Sequence, residues 1–143
     1  VTVVDGRRVT GFGGMRSAGN HLMLQLHYDN GLASIHEWTS TGLRAVVTPA
    51  EKTPLGYQVG FIATFDVNRA GDVAYVSGFN DGGQGVFVKR AGGKTAVALN
   101  TTRPVSGELV KSITALELRD DGTLYLMSPN EKSEILLFQA SPQ

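Results

Sequence analysis

Three histidines in the first third of the chain are the side chains best suited to hold a metal ion. His21, His27 and His36 flank the dipeptide Asn30-Gly31, which is typical of a two-residue hairpin turn. Such a turn would place His27 and His36 on one face of the hairpin as diagonal neighbours. Glu37 would point to the opposite face, and no HExxH-like spacing is present. We therefore favour hydrogen-bonded or solvent-facing histidines over a metal site.

Acidic residues cluster at two predicted turns further along the chain. The spacing of the first cluster vaguely suggests a calcium loop, but it lacks the 12-residue pattern and the closing Glu. Turn-forming Asn and Asp explain both clusters without a metal. Two of the carboxylates, on Asp66 and Glu117, lie near predicted first strands and could face a channel, but nothing pairs them for glycosidase chemistry. The clusters are Asp66, Asn68 and Asp72, and Glu117, Asp120 and Asp121.

No motif for nucleophilic catalysis or nucleotide binding is present in the sequence. GxSxG is missing, and so is a GxGxxG between a strand and a helix. The segment Gly11-Phe12-Gly13-Gly14 resembles a phosphate loop only superficially, and we interpret it as a glycine-rich inner strand. Arg7, Arg8 and Arg16 form a small basic patch typical of a solvated surface. The sequence predicts no catalytic residues, no metal site and no cofactor.

Composition limits the classes of partner. The 143 residues carry 13 Lys plus Arg and 13 Asp plus Glu, so the formal net charge is zero and nothing draws the chain onto nucleic acid. There is no Cys, which removes disulfides and thiolate chemistry. Apolar runs of four or five residues are far short of the roughly 20 that span a bilayer. We expect one domain, no nucleic-acid partner and no membrane insertion.

An internal repeat organises the chain. Gly19, Gly71 and Gly122 occupy matching turns, with spacings of 52 and 51 residues. Each turn lies between alternating apolar runs, and units of about 50 residues with four short strands are typical of propeller blades. The predicted units are about 9–48, 59–99 and 112–139.

Alternating residues bounded by glycine turns predict the strands of the second and third units. Residues Leu109, Val110, Ile113 and Leu116 also fit a short amphipathic helix, but their register with the preceding unit favours a strand. The predicted strands are Phe61–Val67, Asp72–Gly78, Gly85–Lys89, Lys94–Leu99, Ser112–Leu118, Thr123–Ser128 and Glu134–Gln139.

The two ends of the chain are out of phase by one strand. The third unit lacks a fourth strand, whereas residues 1–4 resemble one, as in propellers that close by strand exchange. Three units are too few for a ring. We expect half of a six-bladed ring completed by a second copy, part of a longer propeller, or an open head-to-tail assembly. An unpaired apolar last strand is also prone to aggregation, so we expect another strand or chain to cover it. The predicted strand-exchange residues are Val1, Thr2, Val3, Val4, Ile135, Leu136, Leu137 and Phe138.

The middle unit resembles a bacterial propeller-type repeat. That repeat reads N-x-x-G-x-V-A-F, then G-I-F, a G-G turn and a V-A strand. Its parts match the runs Asn68–Tyr75, Gly85–Phe87, Gly92-Gly93 and Val97-Ala98. The resemblance implies an all-β propeller exported to the cell surface or the extracellular space, and brings no reaction with it.

These observations favour a noncatalytic propeller module for protein–protein assembly. The alternative is a hydrolase or lyase acting on an extracellular glycan, or a ligand-binding domain, that uses the central channel. It would require convergent carboxylates on the inner strands, and the sequence supplies few.

Overall fold

The computed structural model describes residues 2–49, 51–79, 83–102, 104, 107, 110 and 112–141. All regular structure in these residues is β-strand, in agreement with the all-β prediction. No helix in the described part of the chain is long and apolar enough to cross a membrane. The strands are β1 (Val3–Val4), β2 (Arg7–Ala18), β3 (His21–Tyr28), β4 (Ala33–Thr39), β5 (Gly42–Val47), β6 (Ile62–Val67), β7 (Val73–Gly78), β8 (Gln84–Lys89), β9 (Thr95–Asn100), β10 (Ala115–Leu118), β11 (Leu124–Pro129) and β12 (Ile135–Ala140).

The strands form three antiparallel sheets in chain order. The first sheet has the order β1-β2-β3-β4-β5, the second β6-β7-β8-β9 and the third β10-β11-β12. Neighbouring strands are consecutive in the sequence, so each sheet is a meander joined by tight turns. The strands predicted for the second unit agree with β6 to β9 to within one residue at each end.

The second sheet is covered on both faces. Val73, Tyr75 and Phe87 pack against the first sheet, in a cluster that contains Met23 and Ile35. The residues of β7 and β8 whose side chains point the other way pack against the third sheet; they are Ala74, Val76, Val86 and Val88. Every residue of β7 is buried as a result. The sheets are therefore stacked in the order first, second, third, and only the end sheets have an outer face.

One strand from each sheet lies next to an equivalent strand of the neighbouring sheet: β2 contacts β6, and β6 contacts β10. Hydrogen bonds between the turn regions of successive repeats join β6 and its following turn to β10 and its following turn. The Asp66 carboxylate accepts the Leu118 N–H at 2.8 Å, and Asp120 accepts the Arg69 N–H at 2.9 Å. The second pair is 51 residues apart, the spacing of Gly71 and Gly122, and the first pair, 52 residues apart, is offset from that spacing by one residue.

The glycine-rich segment is part of β2, as predicted, and bends it. The pairing of β2 with β3 shifts between Val9 and Gly11 and again between Phe12 and Gly14. At Gly13 a Cβ atom would lie 2.2 Å from His27 Nε2 and 2.5 Å from Gln25 Cδ. A residue without a side chain is needed here because β3 side chains fill the space next to the bulge.

The strand predicted at Ser112–Leu118 is three residues too long, since β10 begins at Ala115. The Ile113 N–H donates to the Gln84 side chain of the second sheet at 2.9 Å, so it is not available to the ladder. Val110 forms an isolated bridge with Asn130, and Leu109 lies outside the described residues.

Candidate assembly interface and inner pocket

The N-terminal part of the predicted interface pairs within its own sheet. Val3 and Val4 lie opposite Arg8 and Arg7 in a hairpin whose two turn residues have positive φ, 49° at Asp5 and 73° at Gly6. A turn of this kind matches the twist of antiparallel strands and returns the chain directly onto β2. Thr2 accepts the Val9 N–H, and Val1 lies outside the described residues. The structure thus places β1 beside β2, whereas strand exchange requires it beside β12.

The C-terminal part of the predicted interface is the edge strand β12. Among the described residues β12 pairs with β11 alone, so its other edge has no partner strand. Its four apolar residues divide between two faces. Leu136 and Phe138 pack toward the second sheet, whereas Ile135 and Leu137 are 63% and 69% exposed.

The exposed side chains of β12 continue across the third sheet as an apolar surface. Leu137 lies opposite Met127, which lies opposite Ala115. Tyr125 is on the same face opposite Glu117, and the groove that these residues line has a volume of about 340 Å³. We call the surface formed by Ala115, Tyr125, Met127, Ile135 and Leu137 the C-terminal face.

The prediction that His27 and His36 share a face is wrong. The Tyr28 N–H donates to Leu32 O and the Gly31 N–H to Tyr28 O, so three residues rather than two form the loop. Gly31 has φ 78°, as the last position of such a loop requires. The register moves by one residue and sends the two imidazoles to opposite faces, with His36 opposite Leu24 and His27 opposite Ala33.

His21 and Glu37 instead form part of an ion-pair cluster beside the second sheet. His21 Nδ1 lies 2.6 Å from Glu37 Oε1, and Arg44 donates two hydrogen bonds to the other carboxylate oxygen. The hydrogen bond from Arg44 holds the pKa of the Glu37 carboxyl below its ordinary value, although burial opposes this. The cluster thus provides hydrogen-bond partners for the buried carboxylate of Glu37.

His36 belongs to a buried hydrogen-bond chain that the sequence did not reveal. Its Nδ1 lies 3.1 Å from Ser34 Oγ, which lies 2.7 Å from the Tyr28 hydroxyl. Its Nε2 lies 2.9 Å from an Asp5 carboxylate oxygen, in the β1–β2 turn. Ser34 and His36 are almost fully buried. This series of hydrogen bonds therefore holds the β1–β2 turn against the first sheet and offers no accessible nucleophile.

The first acidic cluster, Asp66, Asn68 and Asp72, forms hydrogen bonds within its own turn and to the third sheet. Burial would raise the pKa of Asp72, but hydrogen bonds from the Ala91 N–H, Arg90 and Asn68 outweigh it and lower the pKa. Asn68 accepts the Ala70 and Asp72 N–H groups. Within the described ranges no group of three or more His, Asp and Glu side chains is arranged to hold a metal ion.

A polar pocket of about 510 Å³ opens beside β2, β6 and β10. Asp66 and Glu117, both five residues before a repeat glycine, line this inner pocket together. Each already has a partner: Asp66 accepts the Leu118 N–H, and Glu117 receives a hydrogen bond from Arg119 at 2.9 Å. The other polar side chains of the inner pocket are Ser17, Arg69, Arg119 and Asp120.

Comparisons with known proteins support the fold and go no further. No protein-family model matches the chain, and no curated protein matches it. Its backbone is similar to that of a solved structure described as a putative exo-beta-1,3-galactanase from Bifidobacterium bifidum s17, with a TM-score of 0.52 and 16% identity. The similarity covers 91% of this chain and 50% of that chain, so this chain spans about half the length of its structural neighbour.

Proposed function

We propose that the chain is a noncatalytic propeller-type module that assembles with another protein through its two ends. Its partner is a second copy or the remaining part of a longer propeller, at the cell surface or outside the cell. The unpaired outer edge of β12 carries the proposal. The third sheet has three strands where the second has four, and an added strand would complete it.

The arrangement of the sheets supports blades of one propeller. Propeller blades are four-stranded meanders that stack face to face with their first strands around a common axis. Here three meanders stack in chain order, β2, β6 and β10 are neighbours, and a hydrogen bond joins positions one repeat apart. Three such units leave the assembly open at both ends.

Strand exchange requires β1 to separate from β2. β1 is bound to β2 by two residue pairs, so releasing it costs little pairing. The released segment would add a fourth strand to β12 of a partner and gain a longer ladder. The Asp5–His36 contact opposes this release.

Amide hydrogen exchange tests the proposal. We expect the amides of residues 135–140 to exchange more slowly as the protein concentration rises, because a partner strand protects the outer edge of β12. Residues 124–129, in the centre of the sheet, provide the internal control. Removal of residues 1–4 should restore fast exchange in β12. Fast exchange in β12 at every concentration contradicts assembly through this edge.

The inner pocket favours a second candidate function, binding of a polar ligand. It brings Asp66 and Glu117 together with two arginines, and the structural neighbour is described as a galactanase. Titration with β-1,3-linked galactose oligosaccharides, followed by calorimetry, would detect such binding. A signal lost in Glu117→Gln and kept in Glu131→Gln, outside the pocket, supports this candidate. Release of galactose from the oligosaccharides would contradict a noncatalytic module.

A further inference from the structure

A second pocket lies where the chain passes from the first sheet to the second. Its lining residues come from the β3–β4 loop, from positions 49 and 56–60 between β5 and β6, and from the end of β7. It thus lies before the start of β6, whereas the inner pocket lies at the end of that strand. Its volume is about 430 Å³, within the range of roughly 300–1,000 Å³ that is typical of small-molecule sites. We call it the connector pocket.

The connector pocket has a fixed wall, because both neighbouring sheets hold the chain between β5 and β6. The Val59 N–H donates to Glu51 O at 3.0 Å, and Gly60 O accepts the Ala33 N–H of the first sheet at 3.2 Å. Lys89 Nζ of the second sheet lies 2.7 Å from a Glu51 carboxylate oxygen. Val59 is also buried in the cluster between the two sheets. The pocket is therefore formed before a ligand arrives, which lowers the cost of binding.

Two aromatic rings line the connector pocket. The ring centroids of Tyr57 and Phe79 are 4.2 Å apart, and the ring planes are 15° apart. Phe79 is 8% exposed and Tyr57 is 38% exposed, so most of the open aromatic surface belongs to Tyr57. A ring held in this way can stack on C–H groups of a ligand, because they carry partial positive charge and the face of the ring is negative.

The polar groups of the connector pocket are uncharged. Gln58 is exposed, and its carboxamide forms no hydrogen bond to another residue that the structure describes. Three further lining residues are glycines, which contribute backbone only. Among the described residues no Asp, Glu, Lys, Arg or His lines this pocket, whereas carboxylates and guanidinium groups line the inner pocket. A charged ligand would lose hydration without gaining an ionic partner, so the pocket favours a neutral one.

We infer that the connector pocket binds a neutral sugar ring. A sugar presents C–H groups on one face, which stack on Tyr57, and hydroxyl groups at its edge. These hydroxyls both donate and accept hydrogen bonds, as the Gln58 carboxamide does. A neutral aromatic ligand would use the tyrosine alone and leave the carboxamide unused. The inference is independent of the proposed assembly, and the site is separate from the inner pocket.

NMR titration of the intact chain with glucose, galactose and mannose in turn tests the inference. At least one of the three should bind with a Kd of about 1–10 mM, since so small a ligand makes few contacts. It should shift the amide signals of residues 56–60, 78 and 79. The signals of residues 66–69 and 117–120 report on the inner pocket and should stay in place. The absence of saturable shifts with all three sugars overturns the inference, and so do shifts confined to the inner pocket.

Two charge and shape probes examine the choice of ligand. Glucuronate, a sugar of similar size that carries a carboxylate, should bind the connector pocket about tenfold more weakly or worse than the best neutral sugar. Phenol is a neutral ring without the hydroxyl edge of a sugar. Tighter binding of glucuronate or phenol than of every neutral sugar at residues 56–60 would show that the ligand class is wrong.

Substitutions at the two contact residues complete the test. Tyr57→Ala and Gln58→Ala should each weaken sugar binding about tenfold or more. The matched controls are Tyr125→Ala and Gln139→Ala, both on the third sheet, which should leave the Kd unchanged. Thermal unfolding checks each variant, since Tyr57 packs on Phe79. Gln58 is exposed, so Gln58→Ala keeps the fold, and wild-type affinity in that variant contradicts the inference.

Discussion

At the scale of single residues, the polar side chains that were candidates for metal binding or catalysis form hydrogen bonds and ion pairs that stabilise the fold. Glu37 is held by Arg44 and His21, and Asp72 by Arg90 and two neighbours. Residue types at suitable spacings were visible in the sequence. Their partners were not, because a one-residue change in the β3–β4 loop decides which side chains share a face.

Replacement of Glu37 by Gln should destabilise the protein at neutral pH by about 1–3 kcal/mol, since Arg44 and His21 lose their ionised partner. The folded-state pKa of Glu37 is lowered from its ordinary value of 4.5. Its ionised form therefore stabilises the fold fully above that value, and the contribution disappears as the pH falls through the lower folded-state pKa.

Urea unfolding of the wild type and Glu37→Gln across this range measures the difference. We expect the two free energies of unfolding to converge below pH 4.5. A gap that stays constant from neutral to acidic pH would show that the charge of Glu37 is not the source of its effect.

At the scale of elements, the strands were predictable and the contacts between sheets were not. Glycine turns and alternating residues set the bounds of β6 to β9 because local chemistry determines them. Ties between sheets, such as Asn68 Nδ2 donating to Arg119 O at 3.3 Å, depend on how the sheets stack. The repeat spacing contained that information only indirectly, as residues 51 positions apart that become neighbours.

Asn68→Ala should destabilise the fold by about 2–3 kcal/mol, because buried turn N–H groups and the Arg119 carbonyl lose a partner. Asn130 is the matched control. It is also buried and caps the β11–β12 turn through the Lys132 and Glu134 N–H groups, and its side chain donates within that turn to Glu134. Asn130→Ala should cost less. Equal losses in thermal and urea unfolding would show that Asn68 stabilises its own turn alone.

At the scale of the whole molecule, the sequence indicated an open assembly, and in the described residues the outer edge of β12 has no partner strand. The missing fourth strand was visible as a count of predicted strands. The exposure of Trp38 and Leu137 was not, because the face on which each side chain lies depends on the register of its sheet. The second sheet buries apolar residues against both of its neighbours, and that stacking was not visible in the sequence.

The most direct test of the account is the solution mass of the intact chain, measured by light scattering after size exclusion over about a hundredfold range of concentration. The account predicts a concentration-dependent species of twice 15.2 kDa, with the β12 edge covered. A mass of 15.2 kDa at every concentration would contradict assembly of this chain with its own copies.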